Sequence, residues 1–384
     1  MKILSVVGAR PNFMKIAPFI WAIEKYNHRQ NSQPETVKHI LVHTGQHYDD
    51  SMSKAFFTDL HIPAADINLG IGSGTHAEQV GHTMIAFEKV IRAQKPDWVV
   101  VVGDVNATLA CSVTAKKEWI KVCHIEAGLR SGDLTMPEEI NRLVTDRLSD
   151  LLLAPDMLSV QNLRAEGVPE KKIRFVGNIM IDTLEANRKR ARSLDVNEII
   201  RRYSLSHDND HKLDSSYAVL TIHRPSNVDS AEVLEPIVSF LTGEVAEELT
   251  LLWPVHPRTE KRLAEFGLYG RVAANRNIIL MEPVGYLDML RLNMEARVML
   301  TDSGGLQEEC TVLGTPCLTL RWNTERPVTL REHGGASVLT GNDIERIRSA
   351  FHQAMNSSRT PLRPELWDGH TAERCLEAIL GFGY

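Results

Sequence analysis

Apolar runs of strand length alternate with amphipathic stretches of helical length along most of this chain. This alternation is typical of parallel sheets built from strand–helix–strand units, so the sequence predicts the α/β fold class. The predicted strands are 2–7, 38–43, 98–103, 121–125, 151–154 and 173–176, then 217–222, 250–255, 278–281, 297–301 and 316–320. The predicted helices are 12–26, 76–93, 107–117, 137–149 and 157–166, with a closing helix at 371–380.

The chain is longer than one hydrophobic core usually spans. Its 384 residues predict two domains, because single cores stop growing beyond about 250–300 residues. The charged stretch 185–215 is poor in apolar residues, and we interpret it as a helix and a connection that lead into the second unit. Hydrophobic residues make up 43% of the chain and charged residues 24%, as is ordinary for globular proteins.

Composition and charge argue against several classes of partner. A formal net charge of −6 leaves no basic footprint for nucleic acid. No apolar run is long enough to cross a bilayer, so we expect no membrane contact, and the chain opens directly into a strand without a secretory pattern. The five cysteines lack CxxC or zinc spacing, so we interpret them as reduced, buried residues of a cytoplasmic protein.

The sequence carries no fingerprint of a cofactor or a metal. The P-loop pattern, the HExxH pattern and the GxSxG elbow are all absent. The 15 histidines show no zinc spacing. The glycine-rich segment 70–74 does not join a strand to a helix in the dinucleotide pattern, and we interpret it as a flexible loop. We therefore predict an enzyme or binding protein that works without a cofactor and without a metal.

Polar side chains follow almost every predicted strand. Ligands of open α/β sheets bind outside the carboxyl ends of the strands, so two such sheets predict a cleft between two domains. A solvated loop is the alternative for any one residue, but the whole set favours the cleft. The residues are Arg10, Lys15, Gln46, His47, Asp104 and Glu126, then His223, Arg224, His256, Glu282, Asp302, Ser303 and Arg321.

The segment 124–150 has the residues that acid–base chemistry needs. Glu126 follows an apolar run at a predicted strand end, whereas Glu138 and Glu139 follow Pro137 at a predicted helix start. Carboxylates at these two places are positioned to exchange protons with a bound ligand. Proline at the first helical position with glutamate in the first turn is also ordinary helix-start chemistry. From this segment alone, both interpretations stand.

A second segment, 298–310, has the pattern of a phosphate-binding loop. A predicted strand runs into Ser303, Gly304 and Gly305, and a helix follows. The two glycines allow a ligand close to the backbone, and a helix start offers free N–H groups to an anion. Glu309, about one turn into the helix, is near enough to accept hydrogen bonds from sugar hydroxyls. The alternative is a plain strand-to-helix turn with a surface glutamate.

Ten segments of this chain together resemble one enzyme family, the non-hydrolysing UDP-N-acetylglucosamine 2-epimerases. They occur in the family's order and the match covers nearly the whole chain. The segments are GARPNFMK, HTGQHYD, GDVNATLA, HIEAGLRSGDLTMPEEINR, GNIMIDTL, TIHRPSNVD, PVHPRT, EPVGYLDML, LTDSGGLQEE and NTERP.

The resemblance implies a GT-B architecture, in which two Rossmann-like domains face each other across a cleft. The first domain would span 1–180 and carry the catalytic carboxylates, with the closing helix 366–384 packed back on it. The second domain, 181–365, would bind UDP. The resemblance also implies a homodimer formed through the first domain, with a UDP-sugar substrate and UDP as ligands.

The resemblance assigns roles to residues that match the family's motifs. Asp104, Glu126 and Glu138 resemble the catalytic carboxylates. The remaining matched residues are Arg10, Lys15 and His223 in the active site, Arg224 and His256 at the substrate, Ser303, Gly304 and Gly305 at the diphosphate, Glu309 at the ribose, and Tyr286 near the uracil.

The reaction implied is epimerisation at C2 of a UDP-N-acetylhexosamine, through elimination of UDP to a bound 2-acetamidoglucal and re-addition. This chain departs from the family at Ser226, where glutamate is frequent, and at Tyr48 and Leu69, where some members have arginines of an allosteric site. These departures also resemble epimerases of modified UDP-sugars such as diacetamido uronates. The sequence also leaves open a hydrolysing 2-epimerase, a GT-B glycosyltransferase and a catalytically silent UDP-sugar-binding protein.

Overall fold

The computed structural model of the protein describes residues 1–29, 36–45, 63–205, 213 and 216–382. The chain divides into two compact units, one made of Met1–Ala186 and Pro364–Tyr384 and the other of Asn187–Arg363. Gln46, His47 and Tyr48 lie outside the described residues, as does the side chain of Arg10, although the backbone of Arg10 begins a helix.

The first unit is built on a seven-stranded sheet in which every described pairing is parallel. Its strand order is β3-β2-β1-β4-β5-β6-β7. The central strand β4 is buried along its whole length, as expected for a strand covered by helices on both faces. The strands are β1 (Lys2–Val7), β2 (Lys38–His43), β3 (Ile67–Asn68), β4 (Trp98–Val102), β5 (Lys121–Ile125), β6 (Leu151–Ala154) and β7 (Ile173–Phe175).

Helices connect these strands and cover the sheet. They are α1 (Arg10–Arg29), α2 (His76–Gln94), α3 (Asn106–Lys117), α4 (Pro137–Leu148), α5 (Met157–Ala165) and α6 (Ile179–Arg192), with a 3₁₀ turn at Glu170–Lys172. The closing helix α16 (Thr371–Leu380) also belongs to this unit, because the Asp182 carboxylate accepts hydrogen bonds from the backbone N–H groups of Thr371 and Ala372. These distances are 3.0 and 2.7 Å.

The second unit repeats the plan with six parallel strands in the order β10-β9-β8-β11-β12-β13. Its core contains the buried side chains of Trp253 and Phe351. The strands are β8 (Tyr217–Thr221), β9 (Thr250–Pro254), β10 (Ile278–Met281), β11 (Val298–Thr301), β12 (Cys317–Thr319) and β13 (Ser337–Leu339). The helices are α7 (Val196–Tyr203), α8 (Pro225–Val228), α9 (Ala231–Phe240), α10 (Ala246–Glu248), α11 (Pro257–Glu265), α12 (Tyr269–Ala273), α13 (Tyr286–Glu295), α14 (Gly304–Leu313) and α15 (Ile344–Met355), with a π turn at Leu241–Val245 and 3₁₀ turns at Pro327–Thr329 and Arg331–His333.

The α/β class and the parallel sheets are therefore confirmed. Each sheet shows the Rossmann order, in which the first strand lies beside the fourth and the chain proceeds outward on both sides. The sequence pattern did not predict the edge strands β3 and β13, which have two and three residues. The stretch 185–215, interpreted as one helix and a connection, contains the end of α6 and the whole of α7.

Candidate active site

The strand order marks where a ligand site belongs in each sheet. In the first unit the chain leaves β1 toward one edge of the sheet and leaves β4 toward the other edge. The loops after these two strands separate and leave a crevice at the carboxyl ends. In the second unit the same reversal falls between β8 and β11. Lys15, Asp104 and Glu126 lie near the first reversal, and His223, Arg224 and Ser303 lie near the second.

Lys15 and Glu126 form a buried ion pair at the reversal of the first sheet. The Lys15 Nζ lies 2.5 Å from the Glu126 Oε2, and their side chains are 7% and 2% exposed. The first turn of α1 is fixed by Asn12, whose amide oxygen accepts hydrogen bonds from the N–H groups of Gly8 and Ala9. The Asn12 Nδ2 donates to the carbonyl of Val102 at 2.9 Å, which ties α1 to the end of β4.

The Glu126 carboxylate uses only one of its two oxygens in this pair. Its Oε1 is buried and has no hydrogen-bond partner among the described residues. Glu126 also has a positive φ of 74°, a conformation that costs energy for any residue other than glycine. Gly103 leaves room beside it, since a Cβ there would lie 3.2 Å from the Lys15 Nζ and 3.5 Å from the Glu126 Oε2. The carboxylate is thus held in a strained position with one oxygen free to exchange a proton.

Asp104 occupies the neighbouring strand end and is held by α4. Its carboxylate pairs with Arg142, and its backbone carbonyl accepts a hydrogen bond of 2.8 Å from the Asn141 Nδ2. The Asp104 side chain remains 23% exposed, whereas that of Arg142 is 2% exposed. Val102 and Ile125, the last residues of β4 and β5, lie opposite each other in the sheet. Asp104 is two residues beyond the end of β4, and Glu126 is one residue beyond the end of β5. The fold therefore brings these two predicted carboxylates to one edge of the sheet.

The structure separates the two glutamates at the start of α4. Glu139 is buried, pairs with Arg142 at 2.6 Å, and accepts hydrogen bonds from the N–H groups of Ser131 and Gly132. Burial opposes its ionisation, but the Ser131 N–H group and Arg142 outweigh that effect and lower the pKa of Glu139. Glu138 is exposed in the first turn. Glu139 therefore braces the loop before the helix, while the predicted catalytic role of Glu138 stays a prediction.

The sequence did not predict the roles of Arg142 and Asn141. Both lie on α4, four and three residues after Glu138, and both reach back to Asp104. The spacing of Glu139 and Arg142 along a helix is a weak signal for a pair, because residues three apart share a face. The contact of Arg142 with Asp104 joins residues 38 apart in the chain and has no sequence signature.

Asp302 organises the reversal of the second sheet. Its carboxylate is buried and accepts hydrogen bonds from the N–H groups of His223 and Arg224, at 2.9 and 2.8 Å. The His223 Nδ1 lies 2.9 Å from the Asp302 Oδ1. Burial opposes ionisation of Asp302, but the hydrogen bond and the charge of His223 outweigh it, so the pKa of Asp302 is lowered. The aspartate thus fixes both the backbone and the imidazole of the His223 loop.

Arg224 and His256 lie beside this aspartate–histidine pair. The Arg224 Nε donates to the backbone carbonyl of Asp302 at 3.0 Å. His256 is the N-cap residue of α11, with its Nδ1 accepting a hydrogen bond from the N–H group of Arg258. The centroids of the His223 and His256 rings are 5.4 Å apart. The structure therefore brings these three predicted substrate residues together in the second unit.

The predicted diphosphate loop forms the start of α14. Ser303 is the N-cap residue, its side chain makes no capping bond, and Gly304 and Gly305 open the helix. A helix start of this kind directs free N–H groups outward. A Cβ on Gly304 would lie 2.7 Å from the Arg326 Nη1, so the guanidinium packs against the loop. Arg326 belongs to the NTERP segment that carried the family resemblance, but no local pattern places it here.

Glu309 and Tyr286 meet inside the second unit. Glu309 is 3% exposed and Tyr286 is 6% exposed, so Glu309 is not a surface glutamate. Burial, together with the charge of Glu308, raises the pKa of Glu309 to about 7, against the neighbouring side chains of Tyr286 and Asn293, which lower it. The predicted ribose ligand and the predicted uracil neighbour therefore lie in contact.

The described residues contain no group of three histidine, cysteine, aspartate or glutamate side chains arranged to hold a metal ion. None of their helices is long and apolar enough to cross a membrane. All five cysteines are buried and free.

The chain is similar to proteins of one family over its full length. The family model described as UDP-N-acetylglucosamine 2-epimerase matches residues 29–380. The UDP-N-acetylglucosamine 2-epimerase of Methanocaldococcus jannaschii is 43% identical over 385 aligned positions, which cover 100% of both chains. The UDP-2,3-diacetamido-2,3-dideoxy-D-glucuronate 2-epimerase of Pseudomonas aeruginosa is 37% identical, over 96% of this chain and 94% of its own.

Solved structures give the same family and fix the architecture. The M. jannaschii UDP-GlcNAc 2-epimerase in complex with UDP-GlcNAc and UDP superposes with a TM-score of 0.88 at 41% identity, over 100% of both chains. A lipopolysaccharide outer core galactosyltransferase superposes with a TM-score of 0.52 at 14% identity, over 99% of both chains, which shows a shared fold alone. With two Rossmann-like sheets in the chain, these likenesses confirm the GT-B fold.

Proposed function

This chain belongs to the UDP-N-acetylglucosamine 2-epimerase family, and we propose that it interconverts UDP-GlcNAc and UDP-ManNAc without hydrolysing them. The observation that carries the proposal is the pair of carboxylates, Asp104 and Glu126, at adjacent strand ends beside Lys15. C2 of an N-acetylhexosamine has no neighbouring carbonyl, so its hydrogen is weakly acidic. Its removal is assisted when the C1 substituent departs in the same elimination.

The proposed reaction runs in two half-reactions. In the first, a carboxylate takes the C2 proton, the C1–O bond breaks, and UDP leaves with the bonding electrons, which gives a C1–C2 double bond. In the second, a protonated side chain delivers a proton to the other face of C2 while UDP re-forms its bond to C1. One carboxylate serves as base and another group as acid, and their roles exchange in the reverse direction.

Three features of the first unit support this chemistry. The free Oε1 of Glu126 is available to a substrate proton, and Lys15 holds the carboxylate in place through its other oxygen. Arg142 holds the Asp104 carboxylate at the next strand end, where it remains partly exposed. Glu138, exposed at the helix start, is the third proposed acid–base group. A general acid or base in such a position contributes about 10²–10⁴-fold in rate.

In the second unit, we assign UDP to the start of α14. The N–H groups of Ser303, Gly304 and Gly305 would bind the diphosphate, with His223 and Arg224 as further donors. Departing diphosphate carries negative charge, and donors fixed in advance stabilise it in the transition state. Glu309 and Tyr286 would contact the ribose and the uracil.

Proton NMR of UDP-GlcNAc with the purified protein tests the proposal. Epimerisation produces UDP-ManNAc and a stable mixture of the two UDP-sugars. Hydrolysis would instead give UDP and free N-acetylmannosamine. A glycosyltransferase or a silent binding protein would leave the substrate unchanged without an acceptor. Either of the last two results contradicts the proposal.

A second substrate follows from the P. aeruginosa relative, which acts on a diacetamido uronate. Its sugar differs at C3 and C6, not at the reacting C2 and C1. A parallel assay with the UDP-2,3-diacetamido uronate shows which of the two UDP-sugars is the better substrate. A higher kcat/KM for UDP-GlcNAc supports the first substrate, whereas turnover of the uronate alone keeps the reaction and changes the substrate.

We also propose a cytoplasmic homodimer that pairs through the first unit. Ile85 on α2 is 61% exposed and Ile140 on α4 is 43% exposed. Between these helices and α3 lies a groove of about 340 Å³ lined mainly by apolar atoms. Light scattering should give a dimer mass, and Ile85→Glu with Ile140→Glu should give monomers. Trp322→Glu, at a 58% exposed residue of the second unit, is the control that should stay dimeric; a monomeric wild type contradicts the proposal.

A further inference from the structure

His124 is a fully buried histidine directly behind the proposed catalytic carboxylates. It lies on β5, two residues before Glu126, and its side chain is 0% exposed. Its Nε2 lies 2.9 Å from the backbone carbonyl oxygen of Gly103, the residue before Asp104. The ring therefore joins the end of β5 to the peptide that carries Asp104. The proposed reaction gives this histidine no role.

Both ring nitrogens of His124 face oxygen acceptors. The Nδ1 lies 2.6 Å from the Asp146 Oδ1, and the Nε2 faces the Gly103 carbonyl. A carbonyl oxygen and an ionised carboxylate have no proton to give. A neutral imidazole has one N–H group and satisfies only one of them, whereas an imidazolium donates to both. The geometry is that of a ring with two protons.

Asp146 connects His124 to a chain of alternating charges. Its Oδ2 lies 2.7 Å from the Arg130 Nη2 and accepts a hydrogen bond of 2.9 Å from the N–H group of Gly128. Arg130 in turn pairs with Glu166 at 2.7 Å. Burial opposes ionisation of Asp146, but the charge and the hydrogen bond of His124 outweigh it, so the pKa of Asp146 is lowered. A buried carboxylate of this kind stabilises the second proton on the ring.

The Asp104 segment is then held at three points. His124 holds the Gly103 carbonyl, Asn141 holds the Asp104 carbonyl, and Arg142 holds the Asp104 carboxylate. Gly103 has a φ of +68°, so the chain leaves the extended conformation there, although the Gly103 N–H group still donates to the Ile125 carbonyl at 3.2 Å. Asn141, Arg142 and the Asp146 that secures His124 all belong to α4. One helix therefore fixes the orientation of Asp104.

We propose that His124 is a positioning residue, kept as an imidazolium by Asp146, whose donation to the Gly103 carbonyl sets the orientation of the Asp104 carboxylate. This inference rests on the proposed epimerase function. The charged groups around the ring are Asp146 and Arg130 with Glu166 behind it, and Lys15 and Glu126 at the Gly103 side. Asp146 is the acidic group in direct contact with the ring.

The first test replaces the ring. His124→Gln has a single donor nitrogen and should lower kcat at least about tenfold, because one amide cannot reach the two acceptors on opposite sides of the ring, while UDP affinity stays within about twofold. His39→Gln is the matched control, since His39 also lies in this sheet and its Nε2 bonds Ser5 Oγ at 2.9 Å, away from the site. Equal kcat values for the two folded variants would overturn the proposal.

The second test keeps the ring and removes the charge that holds its second proton. Asp146→Asn should lower kcat, whereas Asp146→Glu, which keeps a carboxylate for the Nδ1 of His124, should retain more turnover than Asp146→Asn. A bracing role for Asp146 predicts the opposite order, because asparagine keeps the shape of aspartate and glutamate does not. Turnover of Asp146→Asn equal to or above that of Asp146→Glu overturns the proposal even if His124→Gln does not fold.

A third measurement is independent of turnover. Nitrogen NMR of the ¹⁵N-labelled histidines should show His124 with both ring nitrogens protonated at pH 8 in the wild type and with one protonated in Asp146→Asn. A neutral ring in the wild type overturns the inference. If instead the wild type carries a doubly protonated His124 but does not epimerise UDP-GlcNAc, the proposed function fails and the charge state of the ring stands.

Discussion

At the scale of single residues, the Lys15–Glu126 pair decides most about the proposed chemistry. Two charges with 7% and 2% exposed side chains stabilise each other only as a pair, since removal of one partner leaves the other charge buried and uncompensated. The pair also leaves Glu126 Oε1 without a partner among the described residues. Stability and reactivity therefore depend on the same contact. Single and double substitutions at the two positions distinguish its effect on stability from its effect on activity.

Lys15→Met and Glu126→Gln should each destabilise the fold by about 3–5 kcal/mol, the usual cost of breaking a buried pair. Each should also lower kcat by at least about 10²-fold. The double variant should recover much of the stability, because it removes both charges, and none of the activity, because the Glu126 carboxylate is still missing. Lys116→Met is the control, as its pair with Asp150 is 30% and 22% exposed and is worth about 1 kcal/mol or less. Additive stability losses in the double variant would contradict the pairing argument.

Glu309 gives a prediction about pH. Its pKa is raised to about 7 by burial, so the ligand-free fold holds a proton that the unfolded chain loses near its ordinary value of 4.5. Stability therefore falls as the pH rises through this window, by about 1.4 kcal/mol per pH unit and about 3 kcal/mol in total. Above about pH 7 this whole loss of stability is present, and below about pH 4.5 it is absent.

Urea unfolding of wild type and Glu309→Gln at pH 5 and pH 8 checks this sign. The neutral glutamine carries no ionisation cost, so the variant should gain stability relative to wild type at pH 8 compared with pH 5. Glu247→Gln, at an exposed glutamate of the same unit, is the control. A difference between Glu309→Gln and wild type that stays constant with pH would contradict the assignment.

The sequence predicted Asp104 and Glu126 as site residues because each follows an apolar run of strand length. It also predicted Lys15, which pairs with Glu126, but it did not find Arg142 and Asn141, which hold Asp104. Arg142 contacts Asp104 across 38 positions, and His124 contacts Asp146 across 22. Pairings of this range depend on how α4 packs against the sheet, and helix periodicity carries no information about which strand end a helix residue reaches.

At the scale of elements, the start of α14 carries the proposed UDP contact. Its strand-to-helix turn was readable from the sequence, because a strand, two glycines and a helix follow one another without a break. The Arg326 guanidinium that packs against Gly304 was not, since it arrives from a 3₁₀ region beyond β12. Edge strands β3 and β13 were missed for a related reason, because two or three residues show no periodicity.

Gly304→Ala should weaken UDP binding at least about tenfold. The added Cβ would lie 2.7 Å from the Arg326 Nη1, so the guanidinium has to move, and the methyl group obstructs a phosphate at the backbone. Calorimetry with UDP measures the effect. Gly243→Ala, where a Cβ meets nothing within 4 Å, is the control and should bind as wild type. Unchanged affinity in a folded Gly304→Ala would remove this loop from the UDP site.

At the scale of the whole molecule, the proposed tasks divide between the two compact units. Asp104 and Glu126 belong to the unit built from Met1–Ala186 and Pro364–Tyr384, and Ser303 to Gly305 belong to Asn187–Arg363. The length and the alternating pattern predicted two domains, and the return of the closing helix to the first was implied by the family resemblance alone. That return depends on the contact of Asp182 with the start of α16, which no local pattern reveals.

The division of tasks predicts that turnover and UDP affinity vary independently. Asp104→Asn should lower kcat by about 10²–10⁴-fold and leave the Kd for UDP within about twofold. Rapid-quench kinetics and calorimetry on the same preparation measure both. A parallel loss of UDP affinity would show that Asp104 supports nucleotide binding and would contradict the division.

The central claim is that a proton leaves one face of C2 and another arrives on the opposite face, and it is tested most directly in deuterium oxide. Proton NMR of UDP-GlcNAc incubated there with the wild-type protein should show UDP-ManNAc whose C2 carries deuterium, because the arriving proton comes from a group that exchanges with solvent. UDP-ManNAc that retains hydrogen at C2, or UDP with free sugar in place of UDP-ManNAc, would contradict the account.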